Sequence, residues 1–416
     1  RRAAGSGMTW VVVAVGLLLL VFLHELGHFT VALAVGNRPR GFYVGFGPML
    51  ASFKRNGIEY GLRILPLGGY VRLPGMHRPA ARDVEAFMGP ALREDPSLAP
   101  LVQRARRALE TEDFATARAV FPELQAAVEA AELSPAARRS AHRALRDIEE
   151  GTSDDAYWRQ RTWKRIAVIS AGPAANILVA FIIFVVVYST GAPSNLASTK
   201  VGLVEGNTPA AAAGLQVGDR LLAVDGHKAT TFDQLSKLIR SSHGRPITVT
   251  VDRGGHILKL GPRATKKVGG RWVFGFVPSA QLVSYPIVKS TRLAVDDCWH
   301  VVTGTVTAFG ALFHAKERGQ LTSTVGIVRM SQQALRVDFN YYLQIVGFVS
   351  MSLALLNLLP FLPLDGGHIL FSVIEGVRRR ALAREVYERV SVVGFALIIL
   401  IWIIALSNDL GGKHPG

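Results

Sequence analysis

Four apolar runs constrain this 416-residue chain more than any motif in it. Trp10 to Val35, Ile166 to Tyr188, Leu343 to Leu362 and Val392 to Leu406 are candidate spanning helices, the last near the lower limit of roughly 17 residues for crossing a bilayer. Hydrophobic residues make up 49% of a chain whose formal charge is +16, so apolarity and charge must be segregated. The basic residues crowd beside the apolar runs. Arg38, Arg40, Lys54 and Arg55 follow the first run, Arg159, Arg161, Lys164 and Arg165 precede the second, and Arg378, Arg379, Arg380, Arg384 and Arg389 separate the third from the fourth. By the positive-inside rule these flanks face the cytoplasm, and Gly191 to Tyr342 lies outside. Membrane topology accounts for the basicity, and no nucleic-acid-binding motif accompanies it. The expectation is a polytopic α-helical membrane protein with about four spans, at 8–35, 163–190, 342–363 and 391–407. Met8 reads as a natural start, and the first run as retained rather than cleaved.

Inside the first run stands Val21 to Thr30, VFLHELGHFT. On a helix, His24 and His28 project from one face and can share one Zn²⁺, with Glu25 beside a water on the metal. Ionisable side chains are costly within hydrocarbon, which favours function over two histidines buried for packing. Two histidines need a further protein ligand, and the end of the third run, NLLPFLPLDGGHI, offers it. Pro360 and Pro363 interrupt the helix there. Asp365 is the favoured ligand because it completes a two-histidine, one-carboxylate set, with His368 the competitor three residues on.

Between the spans the character changes repeatedly. Residues 36–76 contain GFYVGFGPMLASFKRNGIEYGLRILPLGGYVRLPG, which suggests membrane-associated β-hairpins with an edge strand near the metal site. Residues 77–155 form a cytoplasmic helical insert, with helical spacing in Leu98 to Leu109, Phe114 to Val128 and Pro135 to Glu150. Ser134 is an N-cap there, and Pro122 a helix break or start. Residues 200–280 alternate strands with one helix, Thr231 to Ser241, and through GLQVGDRLLAVDG resemble a PDZ domain, an α+β fold that binds extended peptides by strand addition. His227, His243 and His256 there read as surface residues. Residues 285–336 read as an amphipathic interfacial region with Trp299, Phe309 and Phe313 towards the membrane. The cluster Asp296, Asp297, Cys298 and His300 points in different directions on a helix and is not expected to bind metal. Cys298 is the single cysteine, which excludes an intramolecular disulfide.

Taken in order, HELGH at His24 to His28, AGPAAN at Ala171 to Asn176, the PDZ-like region and NLLPFLPLDGG at Asn357 to Gly367 resemble the site-two protease family of intramembrane zinc metalloproteases, close to its bacterial regulator-of-sigma-E protease branch. The resemblance spans nearly the whole chain. It implies a zinc metalloendopeptidase with Zn²⁺ as cofactor, His24, His28 and Asp365 as ligands, and Glu25 as base. It further implies that Asn357 contacts the oxyanion or the substrate backbone, and that Gly45, Phe46, Gly47, Gly68, Gly69 and Asn176 line the substrate. Single-pass membrane proteins already trimmed by a first cut are the implied substrates, anti-sigma factors or signal-peptide remnants among them. The implied location is a bacterial inner membrane, with the PDZ domain extracytoplasmic and the active site near the cytoplasmic side. The family's common pattern lacks the helical insert, and some relatives carry two PDZ domains. A rival reading is a non-catalytic PDZ scaffold or a zinc-handling membrane protein. A carrier needs ligands along a path, whereas the polar residues of these spans gather at one level.

Overall fold

The computed structural model describes residues 2–193, 198–268, 271–279, 282–311, 324–382 and 384–410. Helix α1 (Arg2–Ala34) leads into strands β1 (Gly41–Arg55) and β2 (Ile58–Arg72), then helices α2 (Ala81–Glu94), α3 (Ala99–Glu110), α4 (Phe114–Ala130), α5 (Pro135–Thr152) and α6 (Thr162–Thr190). Short elements follow: β3 (Ala192–Pro193), β4 (Val201–Val204), α7 (Pro209–Ala212), β5 (Arg220–Val224), β6 (His227–Lys228), α8 (Phe232–Ser241), β7 (Pro246–Arg253), β8 (His256–Ala264), β9 (Lys266–Val268), β10 (Arg271–Val273), β11 (Phe276–Pro278) and β12 (Leu282–Val283). The chain continues through α9 (Ile287–Ala311), α10 (Thr324–Val337), α11 (Phe339–Asn357), α12 (Asp365–Arg378) and α13 (Arg384–Leu410). Among the described residues, four helices are long and apolar enough to cross a membrane: Trp10–Ala34, Thr162–Thr190, Phe339–Asn357 and Glu385–Ser407. The last exceeds the stretch that hydropathy delimits, because polar turns carrying Glu385 and Glu388 extend the same helix at its start. The contacts divide the chain into two compact units, one of residues 18–176 and 353–397, the other of 1–17, 177–352 and 398–416.

In the first unit, β1 and β2 pair antiparallel through a tight turn. Asn56 and Gly57 both take positive φ, 52° and 78°, the left-handed pair that a two-residue hairpin turn needs. Gly41 to Val44 stand opposite Glu59 to Leu62 on one side and opposite Arg72 to Gly69 on the other, so the two long strands bend into a sheet of four extended segments. Its base packs against α1 through Phe29, Phe42 and Ile58, while Leu50, Ile64 and Leu65 at the far end are at least half exposed.

Helices α2 to α5 enclose their own core. Val84, Met88 and Ala91, Ala117, Val120, Leu124 and Val128, and Ala137, Ala141, Leu145 and Ile148 follow the three-and-four spacing of one helix face. No large apolar side chain of these helices is exposed. Ser134 caps α5 by accepting the Ala137 N–H, and Glu94 accepts from both the N–H and the hydroxyl of Ser134, tying the end of α2 to the start of α5. Two expectations need correction. Pro122 neither breaks nor starts a helix but lies within α4, where burial of Val120 and Leu124 holds the helix on through it. The helix α2, with Pro90 inside it, lay outside the helical stretches read from the sequence.

In the second unit, the sheet β6-β5-β7-β8 packs against α8 around Leu221, Leu235, Ile239, Val249 and Val251. Thr231 caps α8, and Leu235 and Ile239 form its buried stripe. His227, His243 and His256 are exposed. On α9, Trp299 is exposed, and Asp297 accepts the Tyr188 hydroxyl at 2.6 Å, which engages it away from any metal. The side chain of Phe309, and Phe313 and Ala280 altogether, lie outside the described residues.

Asp219 joins the turn before β5 to β7. Its carboxylate, 1% exposed, accepts two N–H bonds from Arg253 at 2.7 Å and one from Gln216. The guanidinium holds the Asp219 carboxyl below its usual 3.8, so the pair stabilises fully above that pH and its contribution fades as pH falls through the lowered folded-state value. Asp219→Asn is expected to cost about 1–2 kcal/mol at neutral pH, Arg253 being partly solvated, with the deficit closing in acid. Thermal melts of the full chain across pH check this, and a deficit unchanged in acid would contradict it.

Candidate metal centre

The first apolar run is helical through HELGH, so His24 and His28 fall one turn apart, their ring centroids separated by 4.8 Å. Helix α11 ends at Asn357, where Pro360 and Pro363 deny the next turns their donors, and the chain doubles back to start α12 at Asp365. A Cβ on Gly366 would run into the Leu358 carbonyl, which is why small residues follow Asp365. The fold-back brings Asp365 Oδ2 to 3.1 Å from His24 Nε2 and 3.4 Å from His28 Nε2, and the two Nε2 atoms lie 3.2 Å apart. Among the described residues these three form the one cluster able to hold a metal. His368 is outside it, so between the two competitors the geometry favours Asp365.

The far nitrogens of both rings are engaged. His28 Nδ1–H donates to the Val168 carbonyl of α6 at 2.8 Å, which leaves the Nε2 lone pair facing the cluster. Asn176, also on α6, lies 3.3 Å from His24 Nδ1. Sequence had placed Asn176 among the substrate contacts. It is instead fully buried behind His24, its amide nitrogen facing the Nδ1 side of that ring.

A cavity of about 340 Å³ opens onto the cluster, lined by Glu25, Tyr70, Val71, Met76, Asn357 and His368 among others. Glu25 thus shares one space with the three donor atoms, and its carboxylate takes a hydrogen bond from the Val71 backbone at the edge of the β1–β2 sheet. Gly69 packs against the Glu25 side chain, a built Cβ lying 3.1 Å from its Cγ. Of the other expected hairpin contacts, Gly45, Phe46, Gly47 and Gly68 are away from the lining, and Phe46 stacks on Tyr70 instead.

A model of peptidase family M50 matches residues 12–401. The chain belongs to that family. It is similar to the zinc metalloprotease RasP of Geobacillus kaustophilus, 28% identical over 415 residues that cover 94% of this chain and 95% of the relative. It is equally similar to the regulator of sigma-W protease RasP of Bacillus subtilis, 28% identical over 410 residues with the same coverage. This M50 peptidase is a zinc metalloprotease, and Zn²⁺ is its cofactor.

The donor set fits that ion. Ligand atoms about 2.0 Å from one tetrahedral zinc stand roughly 3.3 Å from each other, and the three separations here bracket that value. Were these three atoms to hold the ion, the cavity side would remain open to water, as catalytic zinc sites require.

Sequence reasoning missed the α6 contribution. A Cβ on Gly172 would strike the Nε2 atoms of both His24 and His28, and one on Gly27 would strike the Ala171 backbone, so the two helices meet at glycine on each side. The signal was present in AGPAAN, whose run of small residues permits close helix approach. Gly172→Ala is expected to reduce zinc bound by the purified protein at least about tenfold in affinity, since a displacement of even half an ångström matters at a metal site. Metal analysis after chelator competition measures it, and wild-type affinity would refute the role.

Proposed function

We propose that this protein is an intramembrane protease in which His24, His28 and Asp365 hold the zinc and Glu25 is the catalytic base. The observation that carries the reading is the convergence of the three donor atoms and Glu25 on one cavity between apolar helices. Bound zinc supplies Lewis-acid polarisation of the scissile carbonyl and acidifies water for attack at neutral pH. Glu25 takes the proton from that water and returns it to the leaving amine, a shuttle for which its seat in the cavity suits it. Asn357, at the end of α11 and in the same lining, donates its amide to the developing oxyanion.

The substrate class follows from the surroundings. A membrane helix hides its carbonyls in internal hydrogen bonds, so it must unwind before attack. The edge segment Gly69 to Arg72 runs beside Glu25 and offers backbone partners to an extended strand, offsetting the bonds lost on unwinding. The exposed apolar end of the β1–β2 sheet suits a position within the bilayer, at the side from which a single-pass substrate enters. Basic flanks around the spans put the metal near the cytoplasmic side of the membrane and residues 200–280 outside. The PDZ-like region then faces the external segment of the substrate and admits those already shortened by a first cut. The Bacillus relative is named for regulation of a sigma factor, which supports a membrane-bound anti-sigma factor as one substrate type.

Glu25→Gln is expected to keep zinc and lower the cleavage rate of a single-pass substrate about 10²–10⁴-fold, measured with purified protein in detergent. Cleavage at the wild-type rate would remove Glu25 from the chemistry. Deleting 200–280 should allow an untrimmed substrate to be cut in membranes. If that variant stays active on trimmed substrate yet still rejects the intact form, the gate is disproved.

A further inference from the structure

Beneath the metal cluster lies a second polar group that the chemistry does not use. Arg165 on α6 and Glu375 on α12 form an ion pair of 2.6 Å with side chains 6% and 7% exposed. Glu375 is also a junction. Its Oε1 accepts the Leu382 N–H at 2.6 Å in the connection after α12, and it bonds the Tyr387 hydroxyl on α13. The Arg165 guanidinium lies over the ring of Tyr157, 5.1 Å from its centroid. Both side chains are buried, so separating the pair would leave two buried charges uncompensated.

The two residues sit on the elements that complete the metal site. Val168, whose carbonyl orients His28, is one turn along α6 from Arg165, and Asp365 begins the helix on which Glu375 lies about 15 Å further along. The start of α12 packs on the chain before it through Gly366 and borders the cavity on another side, so its height against α6 is set also by contacts further along the helix. A slide of α12 along α6 by a fraction of a turn would carry Asp365 out of reach of the histidines and would break the ion pair at the same time.

We propose that the Arg165–Glu375 pair is a positioning device that sets Asp365 against His24 and His28, and thereby sets zinc affinity separately from fold stability. This rests on the reading of those three residues as the ligands. The test uses the full-length protein in detergent, stripped of zinc. Zinc affinity is read by competition with a chelator, and thermal unfolding of the zinc-free form by tryptophan fluorescence. Glu375→Gln should weaken zinc at least tenfold at temperatures where the zinc-free protein is folded. Arg165→Lys, which keeps the charge without the guanidinium fork, should fold and give a smaller loss of about threefold to tenfold. The double variant Arg165→Met with Glu375→Leu should recover zinc-free stability but not zinc affinity. Affinity within about twofold of wild type in both single variants overturns the proposal, as does an affinity that returns with stability in the double variant. If Glu375→Gln does not fold, Arg165→Lys and the double variant decide by the same criteria. Asp365→Ala is the control for the underlying reading: undiminished zinc in that variant refutes the ligand assignment itself, independently of the pair.

Discussion

Everything in the membrane part of this protein depends on keeping two imidazoles and a carboxylate together in an apolar interior. None of the three can be left without partners there, because a bare polar group in hydrocarbon costs several kcal/mol. The fold meets this by lending backbone and small residues from neighbouring helices. Val168 takes one ring hydrogen, Asn176 stands behind the other ring, and Gly172 makes room for both. Helix α6 therefore shapes this cluster although it contributes none of the three donor atoms.

The same economy explains the break between α11 and α12. A continuous helix would leave Asn357 and Asp365 eight residues apart along its axis, roughly 12 Å. The prolines end α11, and the return of the chain sets Asn357 and Asp365 in the lining of a single cavity. On the opposite wall, the sheet edge at Val71 holds Glu25 by a backbone bond, so this carboxylate is held by main chain. The two modules added to this frame are of a different kind. Helices α2 to α5 bury nearly all their apolar side chains among themselves, and the sheet with α8 does likewise around its own core. Each has the composition of a water-exposed domain.

Much was legible in the residues because it rests on local rules. The spacing of HELGH put both histidines on one face, Ser134 and Thr231 announced helix starts, and the β-prone runs of residues 36–76 announced a hairpin. Local rules also misled where tertiary packing outweighed them. Pro122 read as a helix break or start, yet it lies inside a helix whose buried face holds it. The hairpin glycines look alike in sequence, and strand register rather than residue type decides that Gly69 is the one against Glu25.

By itself, the sequence determined the class of molecule and the metal, and it put His24 and His28 on one helix face, since apolar runs and a four-residue histidine spacing act within single segments. It left Asp365 and His368 in competition and set Asn176 among the substrate contacts. Only the tertiary structure brought Asp365 to the two histidines and buried Asn176 behind His24. The three donor atoms come from residues as far as 341 positions apart, and no spacing rule spans a gap closed by helix packing. The tetrahedral separations, the α6 carbonyl behind His28 and the ion pair beneath Asp365 exist only once those helices have met.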